Sequence, residues 1–391
     1  MFAERTNWQL TPNRLSLEVE RLRRQGVAIL DLTESNPTRC GLNYNSEEIL
    51  RALADPRSLV YEPNPHGAPE ARQAIAEYYA ERNVAVDPEC IFLTASTSEA
   101  YSYVFRLLAS VGESILVPTP SYPLFNFLAD LNDLRIVPYP LVYDQGWRLD
   151  RQALESRLHP GVRALLAVHP NNPTGSFLTR DDLEFLTRCC RTHSLALVSD
   201  EVFADYALEP DTQRVSSVAQ VSGVLSFTLS GLSKIAALPQ IKAAWIVANG
   251  PPETLRNARD RLEVIADTYL SVSTPVWLAL PRLLEMRRSL QPQILERLRD
   301  NLHFLDEQLA GDSPVSRLRV EGGWYVILKL PSIRSDEEWA LLLLGEDGVF
   351  VHPGHFFDFP SDGHLVLSLL PPAKTFQEGT RRILERVRDK S

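Results

Sequence analysis

Short apolar runs rich in β-branched residues alternate with amphipathic segments through the middle of the chain. Strands buried on both faces of a sheet show such continuous apolar runs instead of polar alternation. We predict seven strands, at Ile91–Thr94, Ser114–Pro118, Arg135–Pro138, Ala164–Val168, Leu195–Ser199, Val224–Leu229 and Ala243–Val247. We predict helices between several of them, at Glu99–Ala109, Thr179–His193 and Pro252–Ala266. This alternation indicates an α/β fold whose mostly parallel sheet is covered by helices on both faces.

After about residue 275 the pattern changes to long helices followed by short strands. The predicted helices are Val276–Met286, Pro292–Leu309 and a closing helix from Thr375. The predicted strands are Arg317–Val320, Trp324–Lys329, Val349–His352 and His364–Leu369. We therefore expect residues 46–274 to form the large domain and residues 275–391 a smaller α+β domain, against which the N-terminal segment 1–45 packs.

The composition is that of an ordinary globular chain, with 44% hydrophobic and 23% charged among 391 residues. A net charge of −10 and the absence of a Lys/Arg block argue against nucleic acid or an anionic membrane as a partner. No run approaches the ~18 apolar residues of a membrane span, and the N-terminus lacks the apolar centre of a signal peptide. The four cysteines fit neither a disulfide framework nor a zinc site. We expect a cytoplasmic protein with reduced thiols and no metal.

Lysine is rare in this chain, and its positions point to chemistry. Only five lysines stand among 40 basic residues, and the first of them is Lys234. Arginine cannot be deprotonated in practice, whereas burial can tune a lysine amine to act as a nucleophile or base. Lys234 and Lys242 lie eight residues apart, next to proline- and glycine-containing turns that follow predicted strands. Such turns carry the ligand loops of open α/β sheets.

Seven segments occur in an order and spacing that resemble the class I/II aminotransferase family, whose members are pyridoxal phosphate (PLP) enzymes of fold type I. The segments are YEPNPHGAPEARQAI, TASTSEA, VPTPSY, HPNNPTG, SDEVFADY, SGLSKIAALPQIK and VHPGHFF. The resemblance covers nearly the whole chain. It implies a large PLP-binding domain with a seven-stranded sheet, a homodimer with a shared active site, and transfer of an amino group from an amino acid to a 2-oxo acid.

The same resemblance assigns roles to individual residues. Lys234 would form the Schiff base with PLP and then move a proton as general base and acid. Asp200 would pair with the pyridinium nitrogen, and Tyr122 would stack on the pyridine ring. Asn172 would donate a hydrogen bond to the phenolic oxygen of the cofactor and contact the substrate carboxylate. Lys234 and Asp200 are thus the candidate catalytic residues.

A phosphate site is expected from several pieces of the chain. Thr97 and Ser98 lie at the start of a predicted helix, where N–H groups, hydroxyls and the helix dipole can face an anion. By resemblance, Ser233 adds a hydroxyl, Lys242 adds a cation, and Tyr61 reaches the phosphate bound to the neighbouring subunit.

Three positions near these residues depart from the family pattern. Lys242 stands where the family usually has arginine, and Gly231 stands where many members have a phosphate-binding serine. Phe203 replaces the tyrosine that donates to the phenolic oxygen of the cofactor. Without that donor we expect a raised Schiff-base pKa, with slower turnover or a shifted pH optimum.

The departure with the largest consequence for function is Val366. The family reads roughly Gly-x-x-Arg-(Leu/Ile)-Ser at residues 363–368, and that arginine binds the substrate α-carboxylate. Three interpretations stay open: another cation substitutes, the substrate is an amine or amino sugar, or the reaction is not transamination. Arg39 is the nearest substitute, because its loop lines the site in relatives. We assign Ser35, Asn36 and Arg39, with Asn172, to substrate binding.

Two other classes of function compete with the aminotransferase interpretation. Another PLP reaction on the same scaffold (a C–S lyase, racemase, decarboxylase or oxidase) shares Lys234 and Asp200. A PLP-binding regulator would carry a DNA-binding extension, which the sequence before the N-terminal helix does not suggest, and the net charge of −10 opposes DNA binding.

Overall fold

A computed structural model describes residues 1–390 as helices surrounding three sheets. The helices are α1 (Arg14–Arg24), α2 (Ser46–Leu53), α3 (Pro69–Ala80), α4 (Thr97–Leu108), α5 (Leu124–Leu131), α6 (Arg151–Arg157), α7 (Arg180–His193), α8 (Leu232–Ile235), α9 (Pro252–Tyr269), α10 (Thr274–Glu285), α11 (Arg287–Leu309), α12 (Asp336–Asp347) and α13 (Ala373–Lys390). The strands are β1 (Leu30–Asp31), β2 (Ile91–Thr94), β3 (Ser114–Thr119), β4 (Arg135–Tyr143), β5 (Trp147–Leu149), β6 (Val162–Val168), β7 (Ala196–Asp200), β8 (Ser226–Gly231), β9 (Ala244–Asn249), β10 (Ser316–Arg317), β11 (Tyr325–Lys329), β12 (Val349–Phe350), β13 (His352–Pro353) and β14 (His364–Ser368).

The central sheet confirms the predicted α/β class and has the strand order β2-β9-β8-β7-β6-β3-β4-β5. Strands β4, β3, β6, β7 and β8 pair in parallel, whereas β9 is antiparallel to both of its neighbours. The sheet has eight strands where seven were predicted, because the three-residue β5 pairs antiparallel with β4. Its sequence, Trp-Arg-Leu, is too short to give a periodic signal.

Helices cover both faces of the central sheet, as the continuous apolar runs predicted. In β6, Ala164 and Leu166 face a cluster that includes residues of α4, α5 and α9. Leu165 and Ala167 point the opposite way, toward Leu186 of α7 and its neighbours. Successive side chains of a strand point to opposite faces of the sheet. Because both faces of β6 pack against apolar clusters, its sequence shows no polar alternation.

The strand that carries Asp200 lies one residue later than predicted. Strand β7 is Ala196–Asp200, and Asp200 pairs with Val168 of β6 and with Leu229 of β8. The carboxylate therefore belongs to the last residue of a central parallel strand. The carboxyl edge of such strands is where open α/β sheets bind ligands.

The C-terminal part forms a four-stranded antiparallel sheet in the order β10-β11-β14-β13. The predicted strand Val349–His352 is wrong as a single strand, because β12 pairs in parallel with β1 while β13 pairs with β14. Val351 lies between them and is fully buried. The predicted strand Arg317–Val320 is reduced to β10, which keeps only Arg317 of that range. The domain limits at residues 45 and 274 stay a prediction.

Helices α7 and α9 begin within one residue of their predicted starts, whereas α12, with a capping box formed by Ser335 and Glu338, was not predicted. Helix α7 begins with a capping box formed by Thr179 and Asp182. Helix α11 begins at Arg287, so the predicted start at Pro292 is wrong and this proline lies inside the helix. All four cysteines are buried and unpaired. Within residues 1–390 no helix is long and apolar enough to cross a membrane.

Candidate active site

Lys234 occupies the short helix α8, directly after the carboxyl end of β8. Its Nζ lies 4.7 Å from the ring centre of Trp324 and 5.4 Å from that of Phe203. Desolvation by these surroundings lowers the pKa of the Lys234 amine to about 8, and Asp200 acts in the opposite direction. The amine is therefore partly neutral near neutral pH, as a nucleophile or base requires.

Asp200 is buried, and its carboxylate is held by two hydrogen bonds. Tyr101 donates its hydroxyl to Oδ2 at 2.8 Å, and the Val202 backbone N–H donates to Oδ1 at 3.1 Å. Burial raises the pKa of the Asp200 carboxyl, while these two donors and Lys234 oppose the shift. Such a carboxylate is suited to face a buried cationic group.

Two loop residues, Tyr122 and Asn172, lie on the Asp200 side of the sheet: the Asp200 charge acts on Tyr122, and Asn172 follows β6, which pairs with β7. Tyr122 presents an exposed ring, and its pKa is raised by burial of the hydroxyl and by the Asp200 charge. Asn172 is buried, and its side-chain Oδ1 has no hydrogen-bond partner. A buried amide in this state commonly finds its partner in water or in a bound molecule.

The start of α4 lies at the same edge of the sheet. Helix α4 begins at Thr97, two residues earlier than predicted, and Ser96 is its N-cap, accepting from the Glu99 N–H. Thr97 and Ser98 are therefore the first two helical residues, and their hydroxyls make no hydrogen bond among the described residues. Free N–H groups and free hydroxyls at a helix start fit an anion such as phosphate.

Ser233 and Lys242 approach each other because β8 and β9 are antiparallel neighbours. The Leu232 N–H donates to the Ala243 carbonyl at 2.9 Å, which places residue 242 beside the start of α8. Lys242 is exposed, has a left-handed φ of 59°, and makes no ion pair within residues 1–390. It is thus a cation available to a ligand at this edge of the sheet.

Gly231 departs from the family pattern for a steric reason. A Cβ at this position would lie 2.8 Å from the Ala244 Cβ and 2.9 Å from the Ala243 carbonyl oxygen. Real Cβ contacts are almost never this short, so the backbone of β9 excludes a serine here. The phosphate site predicted for this chain therefore has no serine at position 231.

Replacing Gly231 by serine is expected to destabilise the protein by about 1–3 kcal/mol, because the added atoms overpack two adjacent strands. Urea unfolding of the variant measures this loss. Gly146→Ser is the matched control, since its Cβ would meet nothing closer than 3.9 Å. Equal midpoints for the two variants would contradict the steric explanation.

Phe203 is buried against the aromatic residues that surround Lys234. Its ring meets Trp324 edge-on at 5.3 Å and Tyr325 at 6.2 Å between ring centres. Position 203 therefore presents the C–H edge of a phenyl ring where the family has a hydroxyl donor.

Phe203→Tyr is expected to lower the Schiff-base pKa of the cofactor-loaded protein, because the new hydroxyl would donate to the phenolic oxygen. A spectroscopic pH titration of the visible band gives this pKa directly. Phe356→Tyr, on another partly buried aromatic position, is the control. If the Schiff-base pKa of Phe203→Tyr equals that of the wild type, the residue at position 203 does not influence this pKa.

The loop after β1 carries three residues that were assigned to substrate binding. Ser35 contributes to the site, but not all three residues do. Ser35 acts to lower the pKa of Tyr325, which burial raises to about 12. The side-chain oxygen of Asn36 is used locally, because it accepts from the Thr38 N–H and hydroxyl. Arg39 is exposed and forms no ion pair among the described residues.

Val366 is buried among apolar side chains. It lies opposite Ile327 of β11 and packs with Leu318, Phe357 and Phe359. A carboxylate in this cluster would lose its hydration without gaining a partner. The cation for a substrate carboxylate, if the substrate has one, must come from another position.

Tyr61 projects from the loop between α2 and α3 and is 76% exposed. It lines a cleft of about 320 Å³ together with Leu93, Tyr103 and Ser271. No residue of its own chain receives its hydroxyl among those described, so the ring is free to meet a neighbouring molecule.

Sequence reasoning missed four aromatic residues of the site. Tyr101 lies one helical turn after Thr97 on α4, so helical spacing could have placed it on the same face. Trp324 and Tyr325 are distant in sequence from Lys234 and carried no local signal. The hydroxyl of the fourth, Tyr206, donates to the Lys234 backbone carbonyl and fixes α8.

These residues fit a pyridoxal phosphate. A desolvated amine, a buried carboxylate, an unpartnered amide and an exposed ring converge at one edge of the sheet, beside a helix start suited to phosphate. Lys234, Asp200, Asn172 and Tyr122 would hold the ring, and Thr97, Ser98, Ser233 and Lys242 would hold the phosphate.

The chain was compared with known proteins. Glutamate-pyruvate aminotransferase AlaA of Escherichia coli K12 is 26% identical over 361 residues, covering 90% of this chain and 89% of that protein. Alanine aminotransferase of Mycobacterium bovis is 27% identical over 374 residues, covering 93% and 86%. The solved alanine aminotransferase of Pyrococcus furiosus is 22% identical, covers 100% of both chains and superposes with a TM-score of 0.90. This last likeness shows the fold.

The model of the family "Aminotransferase class I and II" matches residues 28–382. That range includes both sheets that frame Lys234 and every site residue named above. The chain therefore belongs to the class I and II aminotransferase family.

Proposed function

We propose that this protein is a PLP-dependent aminotransferase that moves an amino group from an amino acid to a 2-oxo acid. The observation that carries the proposal is the Lys234 amine, desolvated to a pKa of about 8 near the buried Asp200 carboxylate. Relatives whose names specify glutamate, pyruvate and alanine support glutamate or alanine as the amino donor and pyruvate as an acceptor.

When bound, PLP supplies an aldehyde that condenses with amines and a ring that accepts an electron pair. The residues of the chain would divide the remaining work. Asp200 would hold the proton on the ring nitrogen, and Tyr101 and the Val202 N–H keep this carboxylate in place. Asn172 would orient the ring through its unpartnered amide, while Tyr122 would cover one face of the ring.

Lys234 would accept the proton from the substrate Cα and deliver it to C4′ of the cofactor within the same half-reaction. The second half-reaction would reverse this transfer. An amine with a pKa of about 8 can do both near neutral pH, because neither protonation state is strongly disfavoured. Trp324 and Phe203 surround the amine and exclude water from it.

The substrate end of the site would be formed by Ser35, Tyr325 and Arg39. Ser35 influences the pKa of Tyr325, so the two hydroxyls lie close enough to act on one substrate group. Arg39 is exposed and unpaired, and we assign it the carboxylate that Val366 cannot bind.

Arg39→Ala is expected to raise the KM for the amino acid about tenfold or more, with little change in kcat. A hydrogen bond between charged groups contributes about 1.5–3 kcal/mol, and this one would form equally in the ground and transition states. Steady-state kinetics of both half-reactions measure the effect. Arg23→Ala, on the exposed side of α1, is the control. An unchanged KM would remove Arg39 from the substrate site.

The deciding experiment is the visible spectrum of the purified protein titrated with amino acids and amines. L-alanine and L-glutamate are expected to convert a yellow band into the spectrum of pyridoxamine phosphate, and pyruvate is expected to reverse the change. A band that turns over without forming pyridoxamine phosphate would favour another PLP reaction. Absence of any band with added PLP would overturn the proposal.

A second candidate, favoured by the apolar cluster around Val366, is transamination of an amine without an α-carboxylate. The Glu34 carboxylate supports it, because it is among the charges that raise the pKa of Tyr325 and lies on the substrate side. In the same titration, conversion by amines and none by amino acids would select this candidate.

We also propose a homodimer in which Tyr61 completes the partner's phosphate site. Leu59, Val60 and Tyr61 are consecutive and exposed, which is costly for apolar side chains unless another molecule covers them. In a mixed dimer of one wild-type and one Tyr61→Phe subunit, PLP binding should then be weakened only at the site of the wild-type subunit. A monomeric mass by sedimentation would contradict the assignment.

A further inference from the structure

A second concave site lies between α7 and the segment 214–223, and it shares no lining residue with the site around Lys234. Its volume is about 750 Å³, within the range of small-molecule sites. Arg180, Arg188 and Arg191 of α7 line it together with Arg214, and Glu184 is the one acidic residue among its lining. The lining of this cleft therefore carries four cations and one anion, although the chain as a whole has a net charge of −10.

The arginines share one face of α7 by their spacing. Residues 180, 184, 188 and 191 recur at three- and four-residue intervals, while Leu186, Cys189 and Cys190 on the opposite face are buried in the core. Arg188 and Arg191 are like charges three residues apart and repel each other, whereas Glu184 lies four residues from both Arg180 and Arg188. None of the four arginines forms an ion pair within residues 1–390, whereas neighbouring Arg151 pairs with Asp182.

Arg214 is the most constrained of the four. Its guanidinium lies 3.7 Å from the ring centre of Phe177, and its Nε and Nη2 are buried without a hydrogen-bond partner. The carboxylates of Glu321, Asp211 and Glu209 raise the pKa of Arg214, but none of them lies within ion-pair distance of its guanidinium. Buried guanidinium N–H groups without an acceptor are costly. Arg214 also lines the cleft, so its positive charge favours an oxyanion bound there.

We propose that this cleft binds a small multivalent oxyanion, either an oligophosphate or a polycarboxylate. Guanidinium groups match phosphate and carboxylate oxygens in paired hydrogen bonds, and four of them require a ligand with several negative charges. The concave shape and the volume fit a small molecule better than the flat surface of a macromolecule.

Calorimetric titration of the PLP-loaded protein with inorganic tripolyphosphate, and separately with citrate, tests the proposal. We expect saturable binding of at least one of them, and the stronger of the two identifies the anion chemistry. Arg188→Gln/Arg191→Gln and Arg214→Gln should each weaken it at least tenfold. Arg157→Gln, an exposed arginine outside the lining, should leave it unchanged.

Chemical modification gives a measurement that does not depend on variants. Phenylglyoxal should label Arg188 and Arg191 in the wild-type protein, and the bound anion should protect both from labelling. Failure of both anions to bind, or binding that survives the cleft variants and gives no protection, would overturn the proposal.

Discussion

Lys234→Ala is expected to lower kcat of both half-reactions by a factor on the order of 10²–10⁴, the usual contribution of a positioned general acid and base. The side chain leaves a space lined by Trp324 and Phe203, both within 6 Å of the missing amine. Methylamine or ethylamine in solution should enter this apolar space and restore part of the rate. Stopped-flow absorbance of the half-reaction with L-alanine measures both the loss and the rescue.

Lys374→Ala is the matched control, because Lys374 is an exposed residue in the first turn of α13. It should retain the wild-type rate and show no response to added amine. A Lys234→Ala protein that transaminates within tenfold of wild type would exclude Lys234 as the group that moves the proton.

Asp200→Asn is expected to lower kcat by a factor on the order of 10²–10³, the cost of removing one group that stabilises charge in the reaction. The amide keeps the shape of the carboxylate but cannot hold the ring nitrogen in its protonated form. Tyr101→Phe leaves the carboxylate and removes one of its donors, so its effect on kcat should be smaller. Equal losses in the two variants would contradict this division of roles.

Although Asp200→Asn should lower kcat, we expect it to increase the stability of the folded protein. Burial raises the pKa of the Asp200 carboxyl in the folded state, so folding opposes its ionisation. Below the unfolded pKa of about 4 both states are protonated and the penalty is absent. As pH rises through the folded pKa, the penalty develops in full. Unfolding of the PLP-free proteins should therefore show the stability of Asp200→Asn increasing relative to that of the wild type as the pH rises above about 4.

The sequence predicts the parts of the fold whose signal is local. The central strands appear as apolar runs, and Thr179 with Asp182 marks the start of α7 as a capping box. Strand β5 has three residues and owes its existence to pairing with β4, which no local pattern reveals. The segment Val349–His352 was predicted as one strand because the partners that divide it, β1 and β14, lie far away in sequence.

The candidate site divides in the same way. Lys234, Asp200 and Asn172 stand in segments that can be recognised from sequence, and the structure brings their elements to one edge of the sheet. Trp324 contacts Lys234 from 90 residues away in sequence, so only the folded chain reveals it. The reason for Gly231 is likewise a contact, because the position is closed by the backbone of β9.

The pairing of β1 with β12 has a consequence for how this protein can change during evolution. Through this pair the Ser35 loop is attached to the part of the chain that carries Tyr325 and Val366. Lys234 and Asp200 belong instead to the central sheet. The residues proposed for proton transfer and those proposed for substrate choice are thus carried mainly by different sheets, with Trp324 as the contact between them. Exchanging residues 30–40 together with 316–368 between relatives is expected to change substrate specificity, provided that the exchanged segment keeps Trp324 against Lys234.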